Sequence, residues 1–257
     1  MKRFGEYARY YDLFYGDKDY KHEAEIVDSL IKKYCYQVKS DSQSILNLGC
    51  GTGKHDNEFS LMGYRIKGID LSREMVNIAI NNYQRAGVQF DVGDVRSYSD
   101  GKEYDICTSL FHVLSYQTSN SDIINSFNTA NRELKKDGLF IFDCWYGPGV
   151  LSDKPVVRVK KVEDDDSVFI RHAIPRMYPE KNVVDVNYDV LVIDKEDETV
   201  KQFNETHSMR YLFTPEVELM LTQSGFELLA CLDCSSLQEV TYNSWTAYFV
   251  ARKIKGL

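Results

Sequence analysis

Positive charge is scarce in this chain. Its 257 residues carry 31 Lys and Arg against 39 Asp and Glu, a formal net charge of −8 with His neutral. A surface that grips a nucleic-acid backbone needs clustered cations to release counterions, so the balance argues against nucleic acid and for a small-molecule substrate. Long apolar runs are missing as well. Nothing approaches the roughly 20 residues of a membrane span, and residues 1–15 hold neither a continuous apolar stretch nor a cleavage-site pattern. The expectation is a soluble, cytoplasmic protein, monomer or homodimer. Cysteines number six, at 35, 50, 107, 144, 231 and 234, mostly within apolar runs, where reduced thiols behave as small core residues. Cys231-Leu232-Asp233-Cys234 has the spacing of half a zinc site, but no second CxxC or HxxxH completes a tetrahedral set, so no metal is expected. The acidic run at 163–166 reads as a solvated turn.

What the chain does have is 43% hydrophobic residues, enough for a full core, and a clear rhythm. From 44 to 143, short β-rich runs alternate with longer amphipathic stretches, the pattern of parallel βαβ units. Strands are predicted at 44–48, 65–70, 88–92, 104–110 and 139–143. Helices are predicted to about residue 62, after Ser72 as a cap, and over 121–136. After Gly147-Pro148-Gly149 the rhythm changes to strands at 156–162, 167–174, 183–193 and 200–213 without intervening helices, which implies an antiparallel insertion. A helix at 215–224, opened by Pro215, and strands at 226–232 and 244–252 resume the parallel domain. The expected fold is α/β: a doubly wound, mostly parallel seven-stranded sheet with an antiparallel β insertion after strand five. Its parts are an N-terminal helical cap (1–43), the sheet domain (44–146 and 214–257) and the insertion as substrate platform (147–213).

Glycines 49, 51 and 53 follow directly on the first strand and precede a helix, so the backbone can turn tightly and lie against a ligand. The dinucleotide fingerprint G-x-G-x-x-G would need a glycine at 54, which is Lys54. Pyrophosphate is therefore disfavoured. The second strand ends at Asp70, where a carboxylate can accept ribose hydroxyls, and Asp94 follows the third strand where an adenine amino group could be paired. Loop and acids together specify an adenosine-type cofactor.

With these residues the sequence resembles the class I S-adenosylmethionine-dependent methyltransferases, whose cofactor loop Leu46-Asn47-Leu48-Gly49-Cys50-Gly51-Thr52-Gly53 follows almost residue by residue. The resemblance covers about residues 44–143 and 215–252 and implies a Rossmann-like sheet binding S-adenosylmethionine. It implies that the loop, Cys50 included, approaches the methionyl moiety, that Asp70 holds the ribose, and that Leu71, Met75 and Val95 flank adenine, with Leu110 also on the cofactor. Asn47 departs from the family, which commonly has Asp there.

No D/N-P-P-Y loop follows the fourth strand, where this chain has Ser109-Leu110-Phe111-His112-Val113; that lowers the odds of a DNA-base or glutamine acceptor. Tyr10-Tyr11-Asp12-Leu13-Phe14-Tyr15 near the start, Cys50-Gly51-Thr52-Gly53-Lys54-His55, Trp145-Tyr146-Gly147-Pro148 and His207 before Leu212-Phe213 are similar to the bacterial dTDP-amino-sugar N,N-dimethyltransferases of the desosamine and mycaminose type. That branch also inserts an antiparallel platform after strand five. The resemblance implies a nucleotide-linked amino sugar as acceptor, Tyr11 and Tyr15 facing cofactor and acceptor, and His207 as base with Tyr15 beside it. His112, Trp145 and Tyr146 are expected at the acceptor. Arg158 and Arg176, with Arg171 and Arg210 in the same insertion, are candidates for bonding phosphate in a planar fork. Each also reads as an ordinary surface charge, and His207 equally as a structural strand residue. O-methylation of a small metabolite and a silent S-adenosylmethionine-binding module remain open alternatives.

Overall fold

The computed structural model describes residues 8–35 and 42–256; residues 1–7 of the expected cap, and 36–41, lie outside them. Helices α1 (Ala8–Phe14) and α2 (Tyr20–Tyr34) precede β1 (Ser44–Leu48), α3 (Lys54–Leu61), β2 (Arg65–Asp70), α4 (Arg73–Tyr83) and β3 (Val88–Val92). The chain continues through β4 (Tyr104–Ser109), α5 (Asn120–Glu133), β5 (Leu134–Tyr146) and α6 (Gly147–Ser152). The insertion is β6 (Arg158–Glu163), β7 (Ser167–Tyr178), β8 (Val183–Asp194) and β9 (Val200–Leu212). Then come α7 (Thr214–Gln223), β10 (Phe226–Asp233) and β11 (Thr246–Lys253).

Strands β3-β2-β1-β4-β5 are parallel neighbours. β11 lies antiparallel beside β5, and β10 antiparallel beside β11, completing seven strands. The expected doubly wound sheet is thus present. Because side chains alternate across a strand, consecutive residues serve opposite layers. Leu46, Phe140 and Phe142 pack with Ile123 and Phe127 of α5 and Leu221 of α7. Ile45, Ile106 and Ile141 pack on the other face with Val27 and Ile31 of α2 and Phe59 of α3. Both faces are buried, which is why these strands read as nearly unbroken apolar runs. Strand order reverses between β1 and β4, so a crevice opens at their carboxyl ends.

The insertion is an antiparallel meander, β6-β7-β8-β9. It joins the main sheet where β9 pairs with β5 through Trp145↔Tyr211 and Tyr146↔Leu212. Several boundaries differ from expectation: α5 ends at Glu133 and β5 takes Leu134–Tyr146 in place of 139–143, β6 and β11 start at Arg158 and Thr246 in place of 156 and 244, and β7 runs on through Pro175 to Tyr178 instead of stopping at residue 174. β6 stops pairing at Ala173, so beyond that point β7 is an edge on one side and tolerates a residue without an N–H. Helix α1 docks on this platform, with Phe14 fully buried against Phe169, Val190 and Val192, and Lys160 Nζ donates to the Phe14 carbonyl at 2.7 Å.

A polar thread crosses the core directly behind the first turn of α3. Asn47 Nδ2 donates to Asp56 Oδ2 at 2.8 Å, and Thr108 Oγ1 donates to Asn47 Oδ1 at 3.1 Å. Asp56 is fully buried and its Oδ1 has no partner; burial pushes its carboxyl up to about 7, the Asn47 bond opposing and Asp70 adding to the rise. The folded chain therefore keeps this proton up to about pH 7 while the unfolded chain releases it near 4, so Asp56 makes stability fall as pH rises through that window. Asp56→Asn is expected to gain on the wild type progressively from pH 4 to 7 and then hold a constant advantage of a few kcal/mol, at about 1.4 kcal/mol per pK unit. Urea unfolding of both proteins across that range checks the slope; parallel curves would refute it.

Candidate active site

The loop after β1 takes three left-handed residues, Gly49, Gly51 and Gly53, at φ +88°, +56° and +80°. They serve different ends. A Cβ at Gly49 would stand 2.5 Å from the Val113 side chain, and one at Gly53 would press on Phe90 and Ala79, whereas a Cβ at Gly51 would meet nothing within 4 Å. Gly51 is the open wall of a cavity of about 960 Å³, which Gly49 and Cys50 also line. Gly53, expected on the cofactor, is instead turned into the sheet to let α3 start close to β3, and it does not line the cavity.

The end of β2 is tied to this loop. Asp70 Oδ2 accepts the Gly51 N–H at 3.0 Å and Oδ1 accepts the Ser72 N–H at 2.8 Å. Burial raises its carboxyl above the usual range, opposed by those backbone donors. Leu71, Met75, Val95 and Leu110 line the same cavity, and Leu71 keeps 64% of its surface exposed there, an apolar face available to a flat ring. Asp94 also lines it, but its carboxylate is already held by Arg96, whose Nε stands 2.9 Å from Oδ1 and whose second terminal nitrogen stands 2.6 Å from Oδ2. The Arg96 bond holds Asp94 below the usual carboxylate range. Arg96 reaches on to Asp122 Oδ1 at 3.0 Å. An arginine two residues past the acid is the sequence signal for this clamp, and strand-end reasoning about the acid alone misses it. An open glycine wall, a carboxylate at its edge and exposed apolar flanks fit a sulfonium nucleoside.

Helix α1 closes the roof. Thr52 Oγ1 donates to Asp12 Oδ1 at 2.9 Å, and Lys54 Nζ stands 3.0 Å from the same oxygen. Tyr11 and Tyr15 thereby line the cavity from above. His55, on the first turn of α3, stands 2.7 Å from Glu23 Oε2 on α2, and Lys18 pairs with the other oxygen. Burial works against ionisation of Glu23, yet these two partners outweigh it and pull the carboxyl down to about 2.

The opposite end of the cavity is walled by rings. Tyr116, Trp145, Tyr188 and His207 line it, with Val186 and Met209 between them. Strand parity places Val186 and Tyr188 of β8 on one face, opposite His207 and Glu205 of β9. That alternation is the signal by which Tyr188, absent from the expected site, could have been found. Tyr15 and Tyr188 share a hydrogen bond, and burial raises the Tyr188 hydroxyl well above its usual value. Arg171 lies 4.9 Å from the Tyr188 ring centre and 3.4 Å from the Tyr15 hydroxyl.

His207, expected as the base, is 2% exposed, with Nδ1 2.9 Å from the Tyr116 hydroxyl and Nε2 3.0 Å from Glu205 Oε2. Both ring nitrogens are engaged, Nδ1 with a hydroxyl that lines the cavity. His112 lines the cavity as expected. Tyr146 does not; one residue after Trp145, it points into the core, its hydroxyl 3.2 Å from Thr214 Oγ1. Arg158 and Arg176 do not line it either. Arg158 sits on the outer strand of the meander, and Arg176, on the face of β7 opposite to Arg171, lies over the Tyr178 ring at 5.1 Å.

Residues 45–138 match the family model described as a methyltransferase domain. The chain is 24% identical over 225 residues to dTDP-3-amino-3,4,6-trideoxy-alpha-D-glucopyranose N,N-dimethyltransferase of Streptomyces venezuelae, covering 87% of this chain and 91% of that one. Among solved structures, a sugar N-methyltransferase from Streptoalloteichus superposes with a TM-score of 0.80 at 20% identity, over 95% of this chain and 93% of that one. A structure of an S-adenosylmethionine-bound amino pentose methyltransferase from Micromonospora echinaspora gives 0.74 at 20%, over 98% of each chain. The structural likeness establishes a shared fold.

Removing a charged hydrogen-bonding group costs about 1.5–3 kcal/mol, so Asp70→Ala is expected to weaken S-adenosylmethionine binding about ten- to hundredfold by calorimetry. Unchanged affinity would remove Asp70 from the site.

Proposed function

We propose that this chain, whose residues 45–138 match the methyltransferase-domain model, is an S-adenosylmethionine-dependent enzyme that methylates the amino nitrogen of a small molecule, an amino sugar first among them. The observation behind this reading is the continuous cavity that runs from Gly51 and Asp70 to the ring-lined end at Tyr116, Trp145 and Tyr188, so that donor and acceptor would share one cavity. When bound, S-adenosylmethionine supplies a methyl group on a sulfonium that is already activated for in-line displacement. The chain's own task is then alignment, which alone can contribute several orders of magnitude in rate.

Tyr15, Tyr116 and Tyr188 offer hydroxyls to a polyhydroxylated ring, and the indole of Trp145 offers it an apolar floor. Glu205 fixes His207, and His207 fixes the Tyr116 hydroxyl, through bonds of 3.0 and 2.9 Å. Helix α1, latched by Asp12, lends Tyr11 to the cavity wall. The relative named as an N,N-dimethyltransferase supports nitrogen as the acceptor atom. A nucleotide-linked acceptor is the form that relative's name carries, and Arg158 and Arg176 do not line the cavity. We therefore set the free and nucleotide-linked sugars side by side in the test.

Incubation with S-adenosylmethionine and a panel of amino sugars, free and dTDP-linked, is expected to give products heavier by one or two methyl groups in mass spectra. Transfer only to hydroxyl acceptors would replace this reading with O-methylation, and donor binding without transfer would replace it with a silent module. Tyr116→Phe is expected to lower kcat about tenfold or more, within the usual range for one positioned polar group, while leaving donor affinity unchanged.

A further inference from the structure

The loop that follows β4 departs from ordinary backbone at two consecutive residues. Phe111 and His112 both take left-handed angles, φ +61° and +65°, though neither is glycine. Such strain persists only where the surroundings over-determine it, and it gathers at functional sites. Here the restraint is the buried Asp143 carboxylate of β5, whose two oxygens accept the His112 N–H at 3.2 and 3.1 Å. The strained pair leads directly into a single 3-10 turn, Val113–Tyr116. That turn is pinned at Ser115, whose N–H donates to the His112 carbonyl at 3.0 Å and whose buried Oγ accepts the Trp145 N–H at 3.0 Å. These restraints together aim the last residue of the turn, Tyr116, which lines the cavity.

At the Tyr116 hydroxyl the turn meets the platform. His207 Nδ1 stands 2.9 Å from it, and His207 Nε2 stands 3.0 Å from Oε2 of Glu205, two residues back on the same face of β9. The Tyr188 ring closes on the imidazole edge-on, 4.9 Å between centres. The direction of the hydrogens along this line follows from what each group can give. A carboxylate has no hydrogen to donate, so Nε2 carries one and donates it to Glu205. In the neutral ring Nδ1 is then a lone pair, and it accepts the Tyr116 hydroxyl hydrogen. What Tyr116 presents to the cavity is therefore an oxygen lone pair, with a second proton site directly behind it.

We propose that Tyr116, backed by His207 and Glu205, takes the proton from the amine to be methylated. This rests on the amine reading above. An amino-sugar nitrogen is mostly protonated at neutral pH and cannot attack in that form. Its N–H bond breaks as the proton passes to the Tyr116 oxygen, and the electron pair stays on nitrogen. In the same movement the hydroxyl hydrogen crosses to His207 Nδ1, so that Tyr116 ends as a neutral phenol and His207 as imidazolium. Glu205 compensates that charge. The pair on nitrogen forms the N–C bond to the methyl carbon as the C–S bond breaks, the latter pair remaining on sulfur. Water returning after product release takes the proton from Tyr116 while Nδ1 gives its own back. Tyr116 is the catalytic residue. His207 and Glu205 are positioning residues that act through it, Glu205 by keeping the hydrogen on Nε2 and the lone pair on Nδ1.

The test begins without any amine. In 15N-histidine-labelled full chain at about pH 8, where an unperturbed imidazole is neutral, long-range 1H–15N correlation is expected to place the His207 hydrogen on Nε2 and leave Nδ1 bare. A hydrogen on Nδ1, in the neutral or the charged ring, would overturn the proposal. Turnover of an amine that the wild type methylates then separates relay from orientation. His207→Asn keeps a carbonyl oxygen that can accept the Tyr116 hydroxyl hydrogen but no group that takes up a proton. It is expected to lower kcat about a hundredfold, with S-adenosylmethionine affinity and amine KM within about twofold. A kcat within about twofold of wild type would also overturn the proposal, because orienting the hydroxyl would then suffice. Should the variant fail to fold, the wild-type tautomer decides alone. Wild-type transfer to hydroxyls only is a different failure: it removes the amine reading, and the amine step with it, even where the tautomer is Nε2–H.

Discussion

The bond from the Gly51 amide to the Asp70 carboxylate, 3.0 Å long, is the constraint around which the site is arranged. It joins the carboxyl ends of the neighbouring strands β1 and β2, beside the β1–β4 crevice where the strand order turns back on itself, and it does so with a backbone donor. A side chain at residue 51 would need an unfavourable left-handed φ and would project into the ligand space. Because that donor is main chain, the acid is fixed by the fold itself, and everything packed against the loop inherits the same geometry. Val113 sits on Gly49, Phe90 on Gly53, and Asp56 lies directly behind Gly68.

From this fixed edge the cavity is finished by two short pieces of chain that distant residues tie down firmly: the first helix and the loop after β4. Helix α1 is too short to be stable alone. Its order comes from tertiary contacts in its last turn, Asp12 on the glycine loop and Phe14 in the platform. The same helix therefore touches the cofactor half and the acceptor half, and Tyr15 is presented between them. The loop after β4 is held by Asp143 in the same manner, a buried acid serving an exposed turn.

Much of this was legible in the sequence, and the reasons for success and failure are physical. Parallel strands buried on both faces give runs such as Ile45-Leu46-Asn47-Leu48 that stand out against amphipathic helices, and a glycine triplet directly after the first of them marks a backbone that must turn tightly beside a ligand. The cofactor residues followed from strand ends, which are local features. The acceptor side depends on which face of a strand a residue occupies, and there single-residue shifts decide. Trp145 lines the cavity while Tyr146 enters the core. Arg171 reaches Tyr15, whereas Arg176, five residues along the same strand, faces away. Long-range pairings such as Asp12 with Thr52, or Asp143 with His112, have no sequence periodicity to announce them. His207 was visible as a lone histidine in an insertion strand, but its engagement by Tyr116 needed that strand to meet a segment 91 residues away.

The β6–β9 platform meets the main sheet across only two residue pairs, Trp145 with Tyr211 and Tyr146 with Leu212. So narrow a seam makes the molecule modular: the half that grips the donor answers to one set of packing rules, and the meander can exchange the rings on its inner face without disturbing them. Divergence among proteins of this architecture should therefore concentrate on alternate positions of β7, β8 and β9, where a handful of substitutions suffices to trade one acceptor for another over an unaltered nucleoside cradle.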